Sequence, residues 1–282
     1  MSMKKSNNNR GNGKQGHRKG GFQKKNQKDF DNRFKKKKGD PLPSFSEDVR
    51  LNKFLANAGI CSRREADVLI KTGVVEVNGK IITEMGFKVK PGDEVRYDGV
   101  IVQTEKKQYV LLNKPKDFIT TMDDPYGRRT VLQLVRNACK ERIYPVGRLD
   151  RNTTGLLLFT NDGDLAKRLT HPRYEVKKIY HAELDKPISS SHIEAVLAGV
   201  ELDDGSYVKA DKAEIIKDSK NKEVGLELHS GKNRVVRRIF ESIGFEVKRL
   251  DRVQFASLTK KDLPRGTWRH LTKKEVDFLK MK

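Results

Sequence analysis

Cysteine is nearly missing from this chain: Cys61 and Cys139 are the only two in 282 residues, and they stand in no metal-ligand or redox spacing. That excludes a disulfide framework, argues against a zinc site and points to a reducing compartment. Long apolar runs are missing too. No segment approaches the ~20 apolar residues that a membrane span needs, and the opening MSMKKSNNNRGNGKQGHRKG carries charge without an apolar h-region. Acidic residues are scarce against basic ones, 38 Asp and Glu facing 60 Lys and Arg for a net charge of +22. A soluble cytoplasmic protein with an anionic partner is expected, the phosphates of nucleic acid ahead of an anionic membrane surface.

The charge is unevenly placed. Residues 1–46 hold 14 Lys and Arg against 3 Asp and Glu, half the excess. They are rich in Lys, Asn, Gly and Gln, with no period that could bury a face, and so read as a disordered tail that would grip RNA backbone electrostatically. DPLPS at residues 40–44 marks its end, because closely spaced prolines cannot nucleate a helix. The remainder is still basic in its own right.

Periodicity then appears. Leu51, Phe54, Leu55 and Ala58 recur at helical spacing and Gly59 follows them; Ser62 with Glu65 three residues on forms a capping box ahead of Ala66, Leu69 and Ile70, until Gly73. Two short helices are predicted. Val75 and Val77 alternate into Asn78-Gly79, a strong hairpin signal, with Ile81 and Ile82 on the return. From about residue 108 onward, YVLLNKP, GLLLFTN and KIYHAEL are strand-like runs among short helices, which reads as α+β with a mostly antiparallel sheet.

PVGRLDRNTTGLLLFTNDGD, residues 145–164, sets Asp150 between Arg148 and Arg151 just ahead of an apolar run. The run Leu156–Thr160, bounded by Gly155 and by Asn161-Asp162-Gly163, reads as a buried strand, and Asp162 or Asp164 caps the helix after it. Asp150 then lies in a loop entering a central strand, where a rigid scaffold can present a reactive group. Cations within a few ångströms would keep it ionised, suited to a carboxylate nucleophile or charge stabiliser. Tyr180 alternates with Ala182 and Leu184 on one strand face and could offer its ring to a base. Arg234, Arg237 and Arg238 flank an apolar helix face of Val235, Val236, Ile239, Phe240 and Ile243. Their planar forks suit a carboxylate or phosphates.

RLNKFLANAGICSRREADVLIKTGVVEVNGK resembles the αL-type RNA-binding domain shared with ribosomal protein S4, through its leading Leu-x-Lys helix, Ser-Arg-Arg and Val-x-Val-Asn-Gly. That resemblance implies that Lys53, Ser62, Arg63 and Arg64 face RNA backbone. GRLDRNTTGLLLFTNDGDLAKRLTHP, with LLNKPKD and NRVVRR, resembles the pseudouridine synthases, in particular the ribosomal RNA branch that carries such a domain at its N-terminus. The organisation then expected is a tail over 1–46, an S4-like domain over 47–100, a linker over 101–108 and a catalytic domain over 109–282. Such enzymes detach uracil from its ribose, turn it and rejoin it through carbon 5, without metal or cofactor.

By this resemblance Asp150 is the catalytic aspartate, Arg148 fills the gap left by the flipped uridine, Tyr180 packs on the target base and Arg237 pairs with the aspartate. Arg234 and Arg238 would add RNA contacts. Asp117 stands where family members often have Gly, and Val235 where they often have Gln or Glu. The implied partner is ribosomal RNA, with a lean toward the large subunit, or a ribosomal precursor particle; a monomer is expected. Two rivals remain: a non-catalytic RNA-binding ribosome-assembly protein of the same fold, and a metal-dependent nuclease using Asp123, Asp124, Asp203 or Asp204, whose DDP and DDG settings are more simply turns.

Overall fold

The computed structural model describes residues 48–281; the tail expected over 1–46 lies outside them. Helices α1 (Leu51–Asn57) and α2 (Arg63–Lys71) form where the apolar spacing places them. Ser62 Oγ accepts the Glu65 N–H at 3.3 Å while Glu65 Oε2 accepts the Ser62 N–H at 2.6 Å, which completes the capping box. Strands β1 (Val75–Val77) and β2 (Lys80–Ile81) meet at Asn78 and Gly79, with φ of 51° and 75°. Two successive positive φ values are what a two-residue turn with the twist of the flanking strands requires. Strands β3 (Val95–Tyr97) and β4 (Val100–Ile101) complete a sheet ordered β2-β1-β3-β4. Leu51, Phe54, Leu55, Ile70, Val75 and Val102 close one core between helices and sheet.

The larger sheet carries β5 (Tyr109–Lys114), β6 (Thr153–Thr160), β7 (Lys178–Leu184), β8 (Lys212–Ile215), β9 (Glu223–Leu228), β10 (Val247–Phe255) and β11 (Trp268–His270). Their order is β8-β9-β7-β10-β6-β5-β11. Only the β10–β6 pairing on this path is parallel, so the α+β, mostly antiparallel expectation holds. Along β6 successive side chains alternate between two cores: Leu156 and Leu158 pack with Leu111, whereas Leu157 and Phe159 pack with Val110 and Leu112. Covering on both faces is why this strand reads as an unbroken apolar run.

The strand begins at Thr153, however, and Gly155 lies inside it instead of bounding it. Gly155 has φ 105°, and a Cβ there would sit 2.3 Å from the Arg252 carbonyl oxygen of β10. Glycine serves a close approach of two backbones at this point, not a stop.

Five further helices surround the sheet: α3 (Val131–Val135), α4 (Gly163–Thr170), α5 (Ser190–Ala198), α6 (Val235–Ser242) and α7 (Lys273–Met281). Asp162 is the cap of α4, accepting the Leu165 N–H at 3.2 Å. Val235, Val236, Ile239 and Phe240 of α6 are buried against the sheet, as their spacing predicts. Polar contacts join the smaller sheet's region to the larger. Asn161 accepts the Gln108 N–H at 2.8 Å and donates to the Lys106 carbonyl at 2.9 Å, and Lys53 reaches Asp164 at 2.8 Å. No helix among the described residues is long and apolar enough to cross a membrane.

Candidate active site

Asp150 sits in the loop that enters β6, and this loop is gripped through its backbone. Lys114 closes β5 and is fully buried; its ammonium donates to the carbonyls of Thr153 at 2.8 Å, Asp150 and Pro115 at 3.0 Å and Arg151 at 3.2 Å. From the other side the Thr120 hydroxyl donates to the Leu149 carbonyl at 2.8 Å and accepts the Leu149 N–H at 3.3 Å. The Asp117 N–H adds a bond to the Arg151 carbonyl at 3.0 Å. Burial pushes the Lys114 pKa down to about 8, against the pull of Asp150 and Asp117.

Asp117 occupies the left-handed region at φ 68°, a conformation Gly adopts freely and Asp tolerates. Its carboxylate reaches Arg151 at 3.3 Å. The expected clamp of Arg148 and Arg151 on Asp150 is therefore absent. Arg151 is turned to Asp117, Arg148 is exposed, and among the described residues no cation lies within ion-pair distance of the Asp150 carboxylate. Asp150 opens a turn closed by the Thr153 N–H on its carbonyl at 3.1 Å, so adjacency in sequence does not bring the Arg151 guanidinium onto its carboxylate.

A cleft of about 320 Å³ opens beside this loop, and Arg148, Asp150, Tyr180 and Arg234 all line it. Tyr180 is 8% exposed on β7, and its hydroxyl has no hydrogen-bond partner among the described residues. Arg234 precedes α6 at φ 49° and pairs with Glu241 at 3.4 Å on the surface. Lys178 and Arg252 also line the cleft, and the sequence reading passed over both. Lys178 carried a usable signal, since it precedes Tyr180 by two on the same strand face; Arg252 and the two braces Lys114 and Thr120 depend on contacts that only the sheet creates.

Three other arginines and lysines from the sequence reading meet different partners in the structure. Arg237 forms no ion pair with Asp150: its Nη1 donates to the Val247 carbonyl, and burial, then the charge of Arg234, lowers its pKa, with Asp150 opposing at longer range. Arg238 is held by Asp203 and, at 2.8 Å, by Asp204. Lys53 is likewise engaged by Asp164. Of the remaining positions, Ser62 serves as the α2 cap, Arg63 is exposed with a 3.4 Å bond to Asn52, and Arg64 is exposed beside it. Among the proposed nuclease carboxylates Asp124 is bound by Arg128 at 2.6 Å, and no group of three metal-ligating side chains occurs among the described residues.

The family model described as RNA pseudouridylate synthase matches residues 108–242, and the S4 domain model matches residues 49–95. The chain is 42% identical over 234 residues to the ribosomal large subunit pseudouridine synthase B of Bacillus subtilis, covering 82% of this chain and 95% of that one. The chain belongs to the RNA pseudouridine synthase family. This synthase is also 36% identical over 244 residues to the dual-specificity RNA pseudouridine synthase RluF of Escherichia coli, 85% of this chain and 81% of that one. A crystal structure of a pseudouridylate synthase superposes with a TM-score of 0.60 at 29% identity, covering 82% of this chain and 99% of the other. The synthase thus combines an S4 domain with an isomerase fold acting on RNA.

Proposed function

We propose that this synthase isomerises a specific uridine of large-subunit ribosomal RNA, as free RNA or in a precursor particle, working as a cytoplasmic monomer. The observation that carries the chemistry is the shared cleft: an unpaired carboxylate, Asp150, opens into the same space as the buried ring of Tyr180 and the exposed guanidinium of Arg148. The Bacillus subtilis relative, 42% identical, acts by its name on the large ribosomal subunit.

In this reading residues 47–100 anchor RNA, 101–108 connect and 109–282 react. Arg63 and Arg64 contact phosphates remote from the chemistry, which offsets the few kcal/mol needed to extrude a stacked uridine. Arg148 enters the gap the base leaves, and Tyr180 packs on the base. Asp150 stays a carboxylate free to meet the sugar carbon, because the loop holding it is fixed through carbonyls and not through its own oxygens. Arg237 tunes Asp150 at a distance, and Arg234 sits at the rim. Mapping pseudouridines in ribosomal RNA from cells with and without the gene tests the assignment. Loss of one large-subunit pseudouridine is expected; an unchanged map would refute it.

A further inference from the structure

A guanidinium buried without an anionic partner is costly to keep, and Arg252 is such a group. It is 3% exposed. Its Nε donates to the Leu156 carbonyl at 2.9 Å and its Cζ lies 4.7 Å from the Phe255 ring centre, but Nη2 is buried with no hydrogen-bond partner among the described residues. The neighbouring carboxylate, Asp251, is bound by Thr154, Lys260 and Arg265 instead. Arg252 stands directly across the β7–β10 ladder from Tyr180, and both line the cleft. Lys178, two residues from Tyr180 on the same face, adds a second cation; among the described residues its ammonium donates only to the Val176 and His229 carbonyls, each at 2.8 Å. Burial, then the nearby charge of Arg252, pushes the Lys178 pKa down to about 8, as expected of two cations sharing one poorly solvated place.

The depth of this pair selects its anion. A nucleotide entering base first leaves its phosphates at the mouth, where Lys232, Arg148 and Arg234 are exposed. The floor beside Tyr180 is left for the base. We infer that Arg252, with Lys178 beside it, is a catalytic residue that stabilises the negative charge uracil acquires when its glycosidic bond breaks. The inference rests on reading Asp150 as the nucleophile. As the C1′–N1 bond breaks, its electron pair leaves with uracil, spreading charge over N1, O2 and O4, while an Asp150 oxygen bonds to C1′. On rejoining, C5 gives an electron pair to C1′, the C1′–O bond breaks to restore the carboxylate, and the C5 proton passes to N1, so the reaction remains an isomerisation. Positive charge fixed in advance in a site shielded from water is worth far more than in solution, because it needs no reorganisation when the anion forms.

Arg252→Gln, Arg252→Lys and Lys178→Gln are compared with the unaltered enzyme on unmodified large-subunit ribosomal RNA transcripts, by single-turnover pseudouridine formation at saturating RNA and by RNA binding. Arg252→Gln is expected to lose about 10²–10³ in rate with Kd unchanged, and Arg252→Lys to recover much of it. Transcripts carrying 5-fluorouridine, whose base anion is less basic, lose less in breakage of the C1′–N1 bond. A weakened Kd and a shallower salt dependence at an unchanged saturated rate would make the pair a phosphate site and overturn the inference, as would an unchanged rate and Kd. If Arg252→Gln does not fold, Lys178→Gln decides: a lower rate at constant Kd supports the inference, and an unchanged rate overturns it. Product formation by Asp150→Asn would instead overturn the nucleophile reading beneath it.

Discussion

Lys114 and Asp150 are joined through the backbone and not by an ion pair: the ammonium donates to the Asp150 carbonyl at 3.0 Å, while among the described residues no cation stands in ion-pair range of the Asp150 carboxylate. A buried lysine used in this way fixes where the carboxylate stands without consuming its charge. The loop is rigid and its reactive oxygens are free, the combination that a positioned nucleophile requires.

Removing that lysine should therefore cost both stability and rate. Lys114→Met leaves four carbonyls, those of Pro115, Asp150, Arg151 and Thr153, without this donor. Unsatisfied buried acceptors each cost about 1–3 kcal/mol before relaxation and water entry, so a net destabilisation of about 3 kcal/mol is expected in urea unfolding. The saturated rate should fall by more than RNA affinity does.

Thr120 gives a milder version of the same test. Thr120→Val keeps the shape and deletes the two contacts to Leu149, with an expected cost of about 1 kcal/mol. A roughly tenfold lower kcat, equivalent to 1.4 kcal/mol in the barrier, should come with an unchanged KM, and Thr120→Ser should restore it. Equal loss in Thr120→Ser and Thr120→Val would show that the methyl group matters and not the hydroxyl.

Salt dependence separates the exposed cations by their partners. Lys53 is tied to Asp164 and Arg64 is exposed. Each lost phosphate contact lowers the slope of log K against log salt by about 0.7–0.9. Arg64→Ala should show that change, and Lys53→Ala should not. The Lys53–Asp164 pair itself, being partly exposed, should contribute less than about 1 kcal/mol in a double-mutant cycle.

Acid should loosen the last helix first. Arg269 holds the Glu275 carboxylate at 2.6 Å, and with the Thr272 cap this lowers its pKa to about 2 from an ordinary 4.5. A carboxylate whose folded value is depressed adds stability above its unfolded value and loses it as pH falls toward the folded one. The thermal unfolding temperature should drop more steeply between about pH 5 and pH 2 in the unaltered protein than in Glu275→Gln.

How much of this was readable beforehand depended on the range of the interaction. The capping box at Ser62, the Asn78-Gly79 turn and the α6 stripe are set by residues within a few positions of each other, and each appears as its spacing predicts. Asp150, Arg148 and Tyr180 were legible through family resemblance and Arg234 through the basic stripe along its helix, and all four line one cleft. Charge pairing was not legible. Arg151 stands next to Asp150 in sequence yet serves Asp117, and Arg238 is held by Asp203 and Asp204 across 34–35 positions. Such choices depend on where strands place side chains in space. The same holds for Arg252, which becomes Tyr180's neighbour only when β7 and β10 pair.

The most direct test of the account is Asp150→Asn, assayed for RNA binding and for pseudouridine in the same preparation. The substitution keeps the side chain's size and removes its negative charge, so RNA affinity within about twofold of the unaltered enzyme and no detectable pseudouridine are expected, since uniform binding survives when an interaction made only in the transition state is lost. Detectable pseudouridine formed by that variant would contradict the account.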